Sequence, residues 1–261
     1  MRVLTNELRI KQGRRLGTIL FFVSLFVLTM GLLLSNFLTV DPNVLVFVPC
    51  LVMPIGLVTT LLSVRLTNEW VRVPRPEEAL VEGLAGINRR SVLFNYFPPA
   101  NHILITPEGV YTFTTRFQIT RVKVADEQWL DYKRRGPLAP FFQFMKQEGI
   151  GKPFEDAAID AANVQAIIDA ALPDSGIEVQ PIVVFTHPRA VLELDEPSFP
   201  VVYASPKKKP SIKNALREVK RERRKTGFEL LSEEEMHAIE MALIATLDEK
   251  AFEEATEEEI E

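Results

Sequence analysis

The side chains that carry most hydrolytic and redox chemistry are few in this sequence and far apart. Cys50 is the only cysteine; it lies in an apolar run and has no partner for an internal disulfide. His102, His187 and His237 are scattered, so no Cys/His cluster has the spacing of a zinc site. Phosphate-binding glycine loops, nucleophile elbows and Ser/His/Asp arrangements are absent. The densest chemistry is cationic: Lys207, Lys208, Lys209, Lys213, Arg217, Lys220, Arg221, Arg223, Arg224 and Lys225 fall within one short stretch. Such a run suits the headgroups of an anionic lipid surface, at about 1 kcal/mol per basic residue. It equally suits nucleic-acid phosphates read without base contacts. No aromatic residues interleave to stack on single-strand bases. A solvated helix paired with the acidic stretch that follows is the third reading.

These cations need an element to display them. Ser211 is placed to cap a helix running to about Lys225, with Ile212, Leu216 and Val219 along one side. A second helix is expected over Leu231–Leu247, opened by the Ser232–Glu235 capping box. Its stripe of Met236, Ile239, Leu243 and Leu247 must pack on the rest of the domain, on the basic helix or on a partner protein. The final acidic residues, Glu253–Glu261, are expected to fray. Residues 206–261 thus read as a charged helical tail, basic then acidic, a split hidden by the net charge of −5.

The apolar residues lie at the other end. Leu16–Val40 and Asn43–Val64 contain no charged residue, and about 20 apolar residues suffice to cross a bilayer core. Both runs are apolar around the whole helix, unlike the single stripe of a soluble helix. The sequence therefore predicts a basic N-terminus (1–15) and a transmembrane hairpin over 16–65, with helices at about 16–38 and 44–64. Arg9, Lys11, Arg14 and Arg15 precede the first run, and Arg65, Arg72 and Arg75 follow the second. The connecting loop has neither Lys nor Arg, so the positive-inside rule puts both termini in the cytoplasm. The expected location is the cell (inner) membrane, multi-pass, with Trp70 as an interfacial anchor. The first run is too long for a signal-peptide core, and a second follows at once.

From Pro74 the composition changes to that of an α/β domain. A helix is expected over Glu77–Arg89, whose first-turn acids suit the helix dipole. Strands follow at Ser91–Phe97, His102–Thr106 and Val110–Thr115, the last two joined by the Pro107-Glu108-Gly109 turn. Gln118–Ala125 reads as a further strand, Leu138–Gln147 and Phe154–Leu172 as helices. Val179–Thr186 reads as a buried strand of a mixed sheet, and Ala190–Leu194 and Pro200–Ala204 as edge strands.

Residues 74–205 resemble the nuclease-related domain (NERD) family, which is similar to PD-(D/E)XK nucleases. Glu77, Glu78, Val81 and Leu84, then Asn101-His102-Ile103-Leu104-Ile105-Thr106-Pro107-Glu108-Gly109-Val110-Tyr111, carry the resemblance, with Pro181–Phe185 as the closing strand. It implies a restriction-endonuclease-like mixed sheet flanked by helices. It also implies a site at which the first-helix acid is Glu77 or Glu78, the metal-binding Asp falls on Asn101, and the Glu-x-Lys triplet falls on Thr114-Thr115-Arg116. Asn101 and Thr114 are neutral, and Arg116 stays protonated, so the carboxylates that hold Mg²⁺ in such a site are missing. Glu108, on the turn, is expected to face solvent. The expectation is a non-catalytic NERD-like binding or scaffold module on the cytoplasmic membrane face, with no cofactor. A membrane-associated nuclease using Mg²⁺ at a relocated site is the alternative, and an assembly subunit that recruits a protein through its C-terminal helices is another.

Overall fold

The computed structural model of the chain describes residues 1–37, 42–117, 121–125, 128–131, 150–227 and 230–258. The expected helix at Leu138–Gln147 lies outside them. The chain divides into two compact units: Glu7–Arg75 in one; Met1–Asn6, Pro76–Lys133 and Ile150–Glu261 in the other.

The first unit is a pair of antiparallel helices, α1 (Glu7–Phe37) and α2 (Pro42–Trp70). Glycines allow their close approach: Gly13 lies under the Trp70 ring, Gly17 against Leu66, Gly31 against Val52 and Gly56 against Leu28. Thr18, Thr29 and Thr60 donate their hydroxyls to carbonyls four residues back, so their polar groups are satisfied within their own helix. Phe21, Phe22, Leu25, Phe26, Leu57, Val58 and Leu62 are exposed. Among the described residues, one helix is long and apolar enough to cross a membrane, spanning Glu7–Leu33; the apolar stretch Pro54–Thr67 of α2 is shorter. Two expectations are corrected. Helix α1 begins at Glu7 and not at Leu16, because Lys11, Arg14 and their neighbours are good helix formers whatever their charge. Trp70 is buried against Gly13, with its carbonyl accepting from Arg14 Nε at 3.2 Å, and so is a packing residue of the helix pair.

The second unit is built on a six-stranded mixed sheet. Its strands are β1 (Arg2–Thr5), β2 (Val92–Asn95), β3 (His102–Thr106), β4 (Gly109–Arg116), β7 (Val179–Phe185) and β9 (Val201–Tyr203), adjacent in the order β1-β2-β3-β4-β7-β9. β2, β3 and β4 form an antiparallel meander; β1 joins β2, β7 joins β4 and β9 joins β7 in parallel. The Pro107-Glu108-Gly109 turn forms as expected. Thr106 Oγ1 donates to the Gly109 carbonyl at 3.0 Å, and Gly109 takes φ 142°, which only glycine adopts cheaply. A three-stranded sheet, β5 (Arg121–Ala125), β6 (Gln128–Asp131) and β8 (Val191–Leu194), completes the β structure.

Helices cover both faces of the large sheet. On one side lie α3 (Pro76–Gly83) and α5 (Ile212–Thr226), through Leu80, Leu84, Ile212 and Leu216 against Leu93, Leu104, Phe113 and Ile182. On the other lie α4 (Pro153–Ala171) and α6 (Glu233–Glu258), through Val164, Ile168, Met236, Ile239 and Leu243 against Phe94, Ile103, Ile105 and Val110. Strict alternation along the strands, Leu93 one way and Phe94 the other, creates the two cores.

Several boundaries move. The charged tail is part of the domain: Ser211 Oγ caps α5 by accepting from Asn214 N–H, and the stripe of α6 fills a core that would otherwise be open. Backbone helix continues in α6 to Glu258, past the expected fraying point. Helix α3 stops at Gly83, short of Arg89, where a Cβ would strike the Ala204 carbonyl. The basic N-terminus contributes β1, held by Arg2 paired with Glu240 of α6.

Candidate functional site

Strand β4 and helix α4 together line a cleft of about 260 Å³, and three of the residues singled out from the sequence meet there. Thr114 and Arg116 lie at the end of β4, and Asn101 stands just before β3. Two carboxylates that the resemblance does not mention, Asp156 and Asp160, come from α4. Their placement follows from helical spacing. Pro153, Ala157, Ala161, Val164 and Ile168 are the buried positions of α4, so Asp156 and Asp160, four apart, sit at the rim of that buried stripe.

The cleft's charges are settled inside the protein. Arg116 pairs with Asp156, and its Nε donates to the Ile150 carbonyl at 3.0 Å. Thr114 Oγ1 donates to Asp160 at 2.9 Å. Burial pushes the Asp160 carboxyl above its usual range; the Thr114 hydrogen bond opposes this, Asp156 adds to it, and Arg116 opposes it. Burial pulls Arg116 downward while Asp156 and Asp160 hold it up, so the guanidinium keeps its charge.

Behind Asn101 lies a buried polar network. The Asn101 carbonyl accepts from Tyr96 N–H, and the Tyr96 hydroxyl donates to Glu77 at 2.7 Å. His102 is fully buried with Nδ1 2.9 Å from Asn95 Oδ1, and its ring meets Tyr96 edge-on. Burial lowers the His102 pKa to about 3, so the imidazole is neutral. Tyr96 takes φ 63°, a left-handed conformation that these partners hold in place.

The first-helix acids do not reach the cleft. Glu78 is exposed on α3, and Glu77 is buried toward Tyr96. Glu108 is corrected: it is buried, paired with Lys220, and its carbonyl accepts from Arg223. The turn is covered by α5, so its carboxylate meets lysine where solvent was expected. Asp156 and Asp160 were legible only as acids early in a helix, which the dipole favours in any case.

A divalent cation does not fit the cleft as it stands. Mg²⁺ seeks near-octahedral oxygen ligands, including one or two carboxylates. Here one of the two carboxylates is neutralised by a guanidinium, and among the described residues no three His, Cys, Asp or Glu side chains gather to hold a metal.

The basic candidates separate in space. Lys207, Lys208 and Lys209 lie on the loop before α5, with Lys208 Nζ 4.8 Å from the Tyr203 ring centroid. Lys213, Arg217 and Lys220 line a second cleft, whereas Arg221 and Arg224 are exposed outside it. Comparison with known proteins finds no matching family model, no matching curated protein and no matching solved structure.

Proposed function

We propose that this chain is a membrane-tethered binding or scaffold module: α1 and α2 cross a bilayer as a hairpin, and a non-catalytic, NERD-like α/β domain stands on the cytoplasmic face. Strand β1 carries the reading. It precedes both helices in the chain, β2 follows them, and the two lie side by side in one sheet, Val3 opposite Leu93. A chain whose two ends share a sheet crosses a bilayer an even number of times. Because α1 has the length and composition to span, α2 is the return path. The basic residues on both flanks support a cytoplasmic side for the domain.

The element order α3-β2-β3-β4, then β5 and β6 of the small sheet, then α4-β7, with β7 parallel to β4, supports the reading, as does the meeting of Asn101, Thr114 and Arg116 in one cleft. The Arg116–Asp156 pair argues against metal-dependent catalysis, because the charge a metal would supply is already present.

Topology is tested in intact cells with a membrane-impermeant maleimide, on Cys50→Ser chains carrying Asp41→Cys or Lys207→Cys. Position 41 is expected to label from outside, and position 207 only after permeabilisation. Labelling of both from the same side overturns the hairpin. The alternative, a metal-dependent nuclease with a relocated site, draws support from Asp156 and Asp160 in the cleft. Full-length protein in detergent, incubated with DNA or RNA and Mg²⁺ or Mn²⁺, is expected to leave them intact. Cutting that Asp160→Asn abolishes would establish the alternative.

A further inference from the structure

We infer that the second cleft, between α5 and the β3–β4 turn, is a binding site for a phosphomonoester group, held by Lys213 and Arg217. The inference concerns a different cleft from the one above and stands or falls apart from the hairpin. Lys213, Arg217 and Lys220 are spaced i, i+4, i+7 on α5, so they project along one face of the helix. That face is fixed in position. Ser211 caps the helix, Ile212 and Leu216 are buried in the sheet's core, and Arg223, one turn further on, donates to the Glu108 carbonyl. The cations thus form one wall of a cleft of about 240 Å³, opposite the 86–88 loop with Tyr111 and Glu108.

The charge balance in the cleft selects the ligand. Lys220 is paired with Glu108, so these two charges cancel. Lys213 Nζ donates to the carbonyl of Ala85, a neutral partner that leaves the ammonium charge uncompensated. Arg217 is exposed and has no side-chain partner among the described residues. Three cations against one carboxylate leave two positive charges. A phosphomonoester carries about −1.5 to −2 at neutral pH, which matches them. Arg217 offers the planar fork that phosphate oxygens accept in pairs, and Lys213 offers a point charge. The volume is below the roughly 300–1,000 Å³ of sites that enclose drug-sized molecules, so the cleft takes a headgroup and leaves its carrier outside. A nucleic-acid strand is disfavoured, since only two cations in the cleft are left uncompensated, enough for one phosphate group and not for a continuous run of them.

The phosphate could be soluble or part of a lipid, and calorimetry on the full chain in uncharged detergent separates the two. The titrants are inorganic phosphate, dioctanoyl phosphatidic acid and dioctanoyl phosphatidylcholine. Phosphate and phosphatidic acid are expected to bind, and phosphatidylcholine is not. Tighter binding of phosphatidic acid assigns the site to lipid headgroups; equal binding assigns it to soluble phosphate. Arg217→Ala, which breaks no hydrogen bond or ion pair among the described residues, is expected to weaken binding about tenfold, the loss of one charge-assisted hydrogen bond. Lys207→Ala/Lys209→Ala removes two charges outside the cleft and is expected to change it less than twofold. Absence of binding by both phosphate compounds overturns the inference. So does an equal loss in the Arg217→Ala and Lys207→Ala/Lys209→Ala proteins, which would mean diffuse attraction to a basic surface.

Discussion

The two clefts of the α/β domain are opposites in how they treat charge. In the first, Arg116 pairs with Asp156, and Asp160 accepts from the Thr114 hydroxyl. In the second, Lys220 meets Glu108, but Lys213 and Arg217 meet no carboxylate among the described residues. A closed ion pair is expensive to desolvate and adds order more than affinity, whereas an open one holds its attraction for a ligand. The first cleft is therefore held together from within, whereas the second, lined by part of the basic run, is the one proposed to bind a ligand.

The largest expected effect comes from acid, through a residue behind the first cleft. His102, buried behind Asn101, has its pKa lowered from 6.5 to about 3. The unfolded chain then binds a proton that the folded one refuses. Stability is fully present above pH 6.5 and falls as pH drops toward 3, by up to about 1.4 kcal/mol per pH unit. Thermal unfolding of the detergent-solubilised chain between pH 7 and 4 checks this, and His102→Gln should flatten the slope.

Next in size is Arg116→Ala. The side chain is 18% exposed and Asp156 51%, so the full cost of breaking a buried pair is discounted. A loss of about 2–3 kcal/mol is expected, with Asp160 left facing Asp156 without a cation. A loss below about 0.5 kcal/mol would mean the cleft is not closed by its own charges.

A smaller effect of opposite sign is expected from Asp160→Asn. The folded pKa of Asp160 is raised, so its contribution is favourable below the unfolded value and lost as pH rises through the folded one. At neutral pH its ionisation opposes folding. Asparagine keeps an acceptor for Thr114 and removes that charge, so the melting temperature should rise at pH 7 and the gain vanish in acid. The smallest effect is Arg217→Ala, within about 0.5 kcal/mol of the parent because the guanidinium makes no hydrogen bond or ion pair among the described residues. The same residue type, lost from the two clefts, should thus separate stability from binding.

Much of the framework was readable locally. The β3–β4 hairpin follows from Pro107-Glu108-Gly109 between alternating apolar runs, and the caps at Ser211 and Ser232 form as their spacing requires. Ser232 N–H and hydroxyl both reach Glu235, at 2.8 Å each. These signals act within a few residues, where backbone geometry and one side chain decide the outcome. The site was readable only in part. Asn101, Thr114 and Arg116 line one cleft, but Asp156 and Asp160 lie about 40 to 59 residues further along the chain and carry no local mark of their role.

By itself, then, the sequence determined the apolar runs, the strands with their alternation, the hairpin turn and the capped helices, because propensity and periodicity are short-range. The tertiary structure alone decided that Arg2–Thr5 returns to the sheet beside β2, that α5 and α6 belong to the domain's cores, and that Glu108 is buried against Lys220. Each is a pairing between residues far apart in the chain, and its energy comes from burial and charge neutralisation that exist only once the elements have packed.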